Sequence, residues 1–297
     1  MLTVKQISKS YENKQVLKNV SLSIPSGTCY GLIGPNGSGK STLMKIISEI
    51  VVSDSGNLFY DTKKKASLGY VPQDISLEET ISASANLRFF GKIHNLDKNT
   101  LHKRENLVLE QIGLKDRSKD TVNTFSGGMK RRLNIGCALM HNPDLIIMDE
   151  PTVGVDPQSR KSIFSIVDQL KNQGKTVIYV SHYMEEIEKL CDYVAFIDEG
   201  NIVEAGDIIN ILDQHAEPSV YIEGANLPEE LFTLSNTNKK QHGNGWLLGT
   251  NNSLKTLATL ATHCNQQNIY PTHLALSRPK LEDVFFSLTG TTLRDDK

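Results

Sequence analysis

The stretch "GPNGSGKS", Gly34–Ser41, matches the phosphate-loop pattern G-x-x-x-x-G-K-[ST]. The short apolar run "CYGLI" precedes it and a helix-like run follows it, which predicts a strand, a glycine-rich loop and a helix. Glycines allow successive backbone N–H groups to point inward at an anion, and the helix start adds its dipole. Lys40 is predicted to meet the β- and γ-phosphates, and the Ser41 hydroxyl to ligate Mg²⁺. The residues predicted to contact the nucleotide here are Gly34, Pro35, Asn36, Gly37, Ser38, Gly39, Lys40, Ser41 and Thr42.

A pair of acidic residues ends the apolar run "LIIMDEP". Asp149 and Glu150 should therefore lie at the carboxyl end of a buried strand, where open α/β sheets bind ligands. Asp149 is predicted to hold Mg²⁺, directly or through water, and Glu150 to act as general base on a water facing the γ-phosphate. Pro151 is expected to keep Glu150 extended. The alternative, two acids that only cap a turn, is disfavoured by the phosphate loop.

Three further side chains have candidate roles at the same site. Gln73, in "YVPQD", is predicted to touch Mg²⁺ and the attacking water from a hinge, although a surface glutamine is the alternative. His182, in "VIYVSHY", ends another buried strand and is predicted to reach the γ-phosphate and hold Glu150. Tyr11, between the first two strands, is predicted to stack on the base. Stacking does not read the base edge, so selection of ATP over GTP does not follow.

The distribution of apolar residues predicts two domains. Residues 1–24 alternate as strands, and residues 75–141 have the spacing of a helical insertion. Apolar strands then alternate with helices up to about residue 215, which predicts a mostly parallel sheet covered on both faces. The fold class is therefore α/β: a phosphate-loop cassette over 1–215 with a parallel core sheet, an antiparallel β subdomain and a helical subdomain. Residues 218–297 are predicted to form a small accessory α/β domain.

The overall composition excludes several classes of protein. The 297 residues carry a net charge of -2, which does not indicate a nucleic-acid partner. Lys63, Lys64 and Lys65 are expected in a solvated loop between strands. Four scattered cysteines without a C-x-x-C pair predict reduced thiols in a cytosolic protein rather than a zinc site or disulfides. The first residues lack the apolar core of a signal peptide, and no apolar stretch approaches the roughly 18 residues of a membrane span. A membrane role would require a partner.

A second phosphate-binding element follows far downstream, in "TFSGGMKRRLN", Thr124–Asn134. With Tyr11, the phosphate loop, Gln73, "LIIMDEP", "VGVD" and His182, this stretch resembles the ATP-binding-cassette (ABC) ATPases over nearly all of residues 1–215. The resemblance implies that two cassettes sandwich two ATP molecules head-to-tail. It further implies that this segment completes the partner's site. The segment's own residues would be Ser126, Gly127 and Gly128, and Asp156 would lie in the loop that links the two sites.

The signature segment departs from the family at two positions, since Phe125 and Met129 replace the commonest Leu and Gln. The serine and glycines that would meet phosphate are retained. The tail "PTHLALSRPKLEDVFFSLTG" resembles the C-terminal segment of drug- and antibiotic-exporting ATPases of the daunorubicin-, bacitracin- and linearmycin-resistance type. That likeness implies the ATPase subunit of an exporter for a drug, antibiotic or lipid-like compound. It would pair with itself or another ATPase subunit and bind a separate permease at the cytoplasmic face of the membrane.

Three alternatives are weighed against the exporter. An ABC ATPase of translation usually carries two cassettes in one chain, and one of DNA repair a long coiled coil, and neither feature is found in the sequence. A phosphate-loop kinase or GTPase leaves the signature segment and His182 unexplained, and no guanine-reading N-K-x-D is present. A regulatory module that clamps ATP without turnover is disfavoured by Glu150 and His182.

Overall fold

The computed structural model describes the chain in six ranges and divides it into two compact units. The first unit ends at Ile208 and the second begins at Ile209. The Lys63–Lys65 loop lies outside the described residues. Within the described part of the chain, no helix combines the length and apolar character needed to cross a membrane. The described ranges are 2–60, 66–215, 218–225, 227–233, 239–277 and 280–290.

A mixed six-stranded sheet forms the centre of the first unit. Its inner strands are buried at nearly every position, as expected for a parallel sheet that is covered on both faces. The strands are β3 (Cys29–Ile33), β5 (Leu68–Val71), β6 (Leu145–Asp149), β7 (Thr176–Ser181), β8 (Tyr193–Asp198) and β9 (Asn201–Asp207). They lie in the order β5-β6-β7-β3-β8-β9, and only β9 runs antiparallel to its neighbour.

The first unit also contains a separate antiparallel sheet. Its strands alternate buried and exposed positions, the pattern of a sheet with one solvated face. The order is β2-β1-β4, and buried side chains of these strands join those of the large sheet in one apolar core. The strands are β1 (Leu2–Tyr11), β2 (Lys14–Ile24) and β4 (Ser55–Tyr60).

Six α-helices complete the described part of the first unit. Four begin at a side chain that accepts a hydrogen bond from a backbone N–H group of the first turn, which satisfies a donor that the helix itself leaves unpaired. These capping residues are Ser82, Asp97, Ser126 and Asp156. The helices are α1 (Lys40–Ile47), α2 (Ala83–Ile93), α3 (Lys98–Gln111), α4 (Gly127–Leu139), α5 (Pro157–Asn172) and α6 (Met184–Leu190), and short 3₁₀ turns occupy Lys115–Arg117 and Val122–Thr124.

The second unit is built on an antiparallel sheet with its own apolar core. Val220, Ile222, Leu248 and Leu260 are fully buried there. The elements are α7 (Ile208–His215), which begins at the unit boundary, β10 (Ser219–Glu223), α8 (Glu230–Thr233), β11 (Lys239–His242), β12 (Gly245–Gly249), α9 (Ser253–Gln267), β13 (His273–Ser277) and α10 (Leu281–Thr289). The strand order is β11-β12-β10-β13. The predicted fold class is confirmed, whereas the domain limits 1–215 and 218–297 stay a prediction.

Candidate nucleotide site

The phosphate loop joins β3 to α1 and depends on glycine at three positions. Gly37 and Gly39 have φ values of 78° and 107°, a left-handed conformation that L side chains rarely adopt. A Cβ atom at Gly34 would lie 2.0 Å from the carbonyl oxygen of Ile197, so no side chain fits. A Cβ atom at Gly37 would meet no atom of the described residues within 4 Å. The crown of the loop is therefore open, as a phosphate cradle requires.

Lys40 lies inside this loop and is only 5% exposed. Its Nζ donates to the carbonyl oxygens of Gly34, at 2.8 Å, and Pro35, at 3.0 Å. Burial lowers the pKa of Lys40, while the charges of Glu150 and Asp149 act in the opposite direction. The ammonium group is thus held by the loop itself, in the position from which a phosphate oxygen would receive its hydrogen bonds.

Asp149 ends β6 as a buried carboxylate. Burial raises the pKa of Asp149, against the opposing effects of the Tyr70 hydroxyl, Ser41 and Lys40. The Tyr70 hydroxyl donates to Asp149 Oδ2 at 3.3 Å. Asp149 Oδ1 is buried and makes no hydrogen bond of standard geometry to any described residue. That oxygen is available to a cation or to a water bound to it.

These groups fit Mg²⁺, whose usual ligands are oxygens. Ser41, Gln73 and Asp149 offer a hydroxyl, an amide and a carboxylate oxygen. Among the described residues no group of three or more His, Cys, Asp or Glu side chains could hold a metal ion. The protein alone therefore supplies few ligands, and phosphate oxygens would have to complete the coordination, as is usual for Mg²⁺ at phosphoryl-transfer sites.

Glu150 is the residue around which the predicted hydrolytic groups meet. Its backbone N–H donates to the Val180 carbonyl at 3.0 Å. Gln73 Nε2 donates to Glu150 Oε2 at 3.2 Å, and His182 Nδ1 lies 3.3 Å from Glu150 Oε1. Gln73 and His182 therefore both contact Glu150, and the predicted contact between His182 and Glu150 is present.

The backbone of Glu150 differs from the expectation. Its φ is 48°, so the prediction that Pro151 keeps it extended is wrong. The residue before a proline is only biased toward extended conformations, and here the turn that follows β6 overrides that bias. Positive φ at a non-glycine residue costs about 1–3 kcal/mol and is often found at functional sites.

The sheet explains why residues so far apart in sequence meet. Gln73, Glu150 and His182 follow β5, β6 and β7, and the phosphate loop follows β3. These four strands are parallel neighbours. Their carboxyl ends therefore share one edge of the sheet, which is where open α/β sheets place ligands.

The signature segment forms a second, separate cluster. Ser126 is exposed and caps α4, its Oγ accepting a hydrogen bond from Met129 N–H at 3.3 Å. Around exposed Gly127, a Cβ atom would meet no described atom within 4 Å. At Gly128 a Cβ atom would lie 2.0 Å from Ser159 Oγ, so only glycine fits against α5. The tip is therefore open, with its rear packed on α5.

Asp156 and Tyr11 have contacts within the chain that the sequence did not indicate. The Asp156 carboxylate accepts hydrogen bonds from the N–H groups of Gln158 and Ser159 and so caps α5. Tyr11 is the last residue of β1 rather than part of the turn, is 44% exposed, and has Lys9 Nζ 5.5 Å from its ring centre. Nucleotide roles for both stay predictions.

Sequence reasoning missed two residues that support the site. Tyr70 lies on β5, and its hydroxyl reaches Asp149 at the end of the neighbouring strand β6. Glu186 is a buried carboxylate on α6, four residues after His182. No sequence signal marks either residue, because the Tyr70 contact depends on strand order and the Glu186 contacts join the turn after β6 to the end of β7.

A phosphate loop, an acidic strand end and a signature turn arranged on such a sheet define a phosphate-loop ATPase of the cassette type. The family description "ABC transporter" matches residues 17–153. A relative that is 42% identical matches over 99% of this chain. The chain belongs to the ABC transporter family, as one of its ATPase subunits, and the resemblance inferred from the motifs is confirmed.

The linearmycin resistance ATP-binding protein LnrL of Bacillus subtilis (strain 168) is 42% identical over 99% of this chain and 100% of its own length. The Nod factor export ATP-binding protein I of Ralstonia nicotianae is 33% identical over 99% and 95%. The daunorubicin resistance ATP-binding protein DrrA3 of Streptomyces coeruleorubidus is 29% identical over 99% and 97%. Among solved structures, the dimeric post-hydrolysis state of the cassette MJ0796 with ADP and Pi is 25% identical, with a TM-score of 0.63 over 70% of this chain and 99% of that one.

Proposed function

We propose that this chain hydrolyses ATP between two cassettes and uses the cycle to drive export of a drug, antibiotic or lipid-like compound through a separate membrane permease. The observation that carries the proposal is the open signature tip, Ser126 and Gly127, on a chain whose own phosphate loop is equally open at Gly37. Two open half-sites in one chain are explained if two cassettes form a two-fold dimer, in which the signature tip of each cassette completes the phosphate-loop site of the other. The relatives named for drug resistance and Nod factor export support the exporter class.

Hydrolysis follows from the contacts around Glu150. Its carboxylate accepts the proton of the attacking water, while Gln73 and His182 hold that carboxylate from two sides. Lys40 neutralises charge on the phosphates, and the signature N–H groups of the second cassette do so from the far side. Ser41, Gln73 and Asp149 would hold Mg²⁺, which would neutralise charge on the phosphate oxygens and so make attack by the water easier.

The dimer explains how hydrolysis becomes movement. Both cassettes donate hydrogen bonds to one phosphate, so the closed state is stabilised only while that phosphate is present. Loss of phosphate removes the shared ligand, and the cassettes separate. The segment from Gln73 to Phe90 runs from the site into the helical subdomain, and we propose that a permease loop docks there. The chain would then lie at the cytoplasmic face of the membrane, held by its permease.

Co-purification with cargo-dependent ATPase activity tests this proposal. Any multi-span membrane protein encoded beside this chain is expressed together with the tagged chain, and the pair is extracted in detergent and placed in lipid vesicles. We expect the membrane protein to co-purify and linearmycin or daunorubicin to raise the ATPase rate, and Glu150→Gln to abolish that rate. A chain that purifies alone and has an ATPase rate indifferent to both compounds would support the ABC ATPase that works off the membrane.

A further inference from the structure

Glu186 on α6 is a buried carboxylate, 3% exposed, that has no part in the mechanism above. Its Oε2 accepts three hydrogen bonds, from Thr152 Oγ1 at 2.8 Å, Tyr179 OH at 2.9 Å and Ser181 Oγ at 3.2 Å. Its Oε1 lies 3.4 Å from Arg160 Nε. A buried glutamate without partners would be strongly destabilising, and here three hydroxyl donors and a guanidinium surround the carboxyl group.

The donors belong to the segments that carry the hydrolytic groups. Thr152 lies two residues after Glu150, in the turn where Glu150 adopts its positive φ. Ser181 is the last residue of β7 and directly precedes His182. One carboxylate oxygen therefore ties the turn that presents Glu150 to the strand end that presents His182.

The same carboxylate also reaches the loop that precedes α5. Arg160 lies in the first turns of α5, and its backbone N–H donates to the carbonyl of the capping residue Asp156 at 2.9 Å. The guanidinium carbon of Arg160 lies 5.3 Å from the ring centre of Tyr183, the residue after His182. Glu186 thus contacts the turn after Glu150, the end of β7 and the start of α5.

We propose that Glu186 is a positioning residue for ATP hydrolysis, which fixes the distance between the Glu150 turn and the His182 turn. This inference rests on the proposed function. Glu150 is held in a backbone conformation that costs energy. The hydroxyl of Thr152 anchors the far side of that turn to Glu186 on α6. Without the anchor, the turn can relax and the Glu150–His182 contact is lost. Misplacing catalytic groups by about 1 Å can cost on the order of 10²-fold in rate.

The test is a graded series at one position with a matched control beside it. Glu186→Gln keeps the shape but replaces charge-assisted hydrogen bonds with weaker ones and turns an amide toward Arg160. Glu186→Leu removes all four contacts. Glu185, exposed on the same helix, provides the control Glu185→Gln. The full chain is assayed for kcat and KM with Mg-ATP, for affinity for a non-hydrolysable ATP analogue, and for Tm.

We expect kcat to fall about tenfold in Glu186→Gln and about a hundredfold in Glu186→Leu, with analogue affinity within about twofold of the wild type. Glu185→Gln should match the wild type in all four measurements. If kcat stays at the wild-type value while only Tm falls, Glu186 stabilises the fold and the inference is wrong. An equal loss of kcat and analogue affinity would likewise contradict it.

A milder variant guards against loss of folding at position 186. Ser181→Ala removes one hydroxyl donor next to His182 and leaves the carboxylate in place. We expect it to lower kcat several-fold, and to lower it no further when combined with Glu186→Leu, because both act through one contact. Fully additive losses would refute the shared contact. Failure of the proposed function is distinguishable, because it would be seen in the wild type, which would purify without a membrane partner and have an ATPase rate that neither compound changes.

Discussion

Glu150 has a φ of 48°, a backbone conformation that glutamate rarely adopts. Its side chain contacts both Gln73 and His182. Glu150→Gln keeps the size of the side chain and can keep these contacts, but an amide cannot accept a proton from water. We expect ATP to bind with near wild-type affinity and hydrolysis to fall about 10²- to 10⁴-fold, the usual contribution of a general base. Phosphate release and analogue titration measure the two quantities.

The control for Glu150 is another glutamate with the same backbone conformation. Glu199 has a φ of 43° and an exposed side chain after β8. Glu199→Gln should leave phosphate release unchanged. A Glu150→Gln protein that still releases phosphate at the wild-type rate would remove Glu150 from the role of general base.

Asp149 gives the site a second test, this time through pH. The hydrogen bond from Tyr70 lowers the pKa of Asp149 against the larger effect of burial, which raises it. Activity requires the ionised carboxylate and is lost as pH falls through this pKa. Tyr70→Phe removes the hydrogen bond, so the pKa of Asp149 rises and the acid limb of the ATPase pH profile should move to higher pH. The profile should stay in place for Tyr30→Phe, a buried tyrosine on β3.

At the scale of elements, the parallel direction of the strands places the site at one edge of the sheet, and this direction was predictable whereas the strand order was not. "CYGLI", "LIIMD" and "TVIYVS" are continuous apolar runs, which indicate buried parallel strands, and parallel strands present their carboxyl ends at one edge. Gln73, Glu150 and His182 could therefore be grouped from sequence. The positive φ at Glu150 and the reach of Tyr70 to Asp149 could not, because both depend on how neighbouring strands pack.

The contacts between α4 and the segment after β5 also could not be predicted from the sequence. Arg131 Nη1 donates to the carbonyl oxygen of Pro72 at 3.1 Å, and Asn134 Oδ1 accepts from Ser76 N–H at 3.2 Å. Hydrogen bonds with α4 therefore hold the predicted hinge on both sides of Gln73. Any movement of that helix relative to the sheet must act on Gln73.

Arg131→Met tests this link. The variant leaves the Pro72 carbonyl without its charged donor. We expect the free energy of unfolding to fall by about 2 kcal/mol and kcat to fall several-fold. Arg132→Met is the matched control, since half-buried Arg132 lies on the same helix but donates to the carbonyls of Ile112 and Gly113. It should lower stability and spare kcat. Denaturant melts and steady-state assays separate the two effects, and equal kcat losses would mean that any damage to α4 suffices.

At the scale of the whole molecule, the proposed sandwich requires a second cassette to complete both the open phosphate loop and the open signature tip of this chain. Ser126→Arg tests this arrangement, because Ser126 is exposed and its neighbour Gly127 has open space around it. In one chain the change costs only the cap of α4, about 1 kcal/mol. In the dimer it places a long side chain where the partner's phosphate should lie. In the Glu150→Gln background we expect ATP to bind but the dimer to be lost, as measured by light scattering after size exclusion. Ser82→Ala removes the corresponding cap of α2 and should still dimerise. If the Ser126→Arg protein dimerises with ATP at the same protein concentration as the protein that retains Ser126, the signature tip faces solvent and the proposed sandwich is wrong.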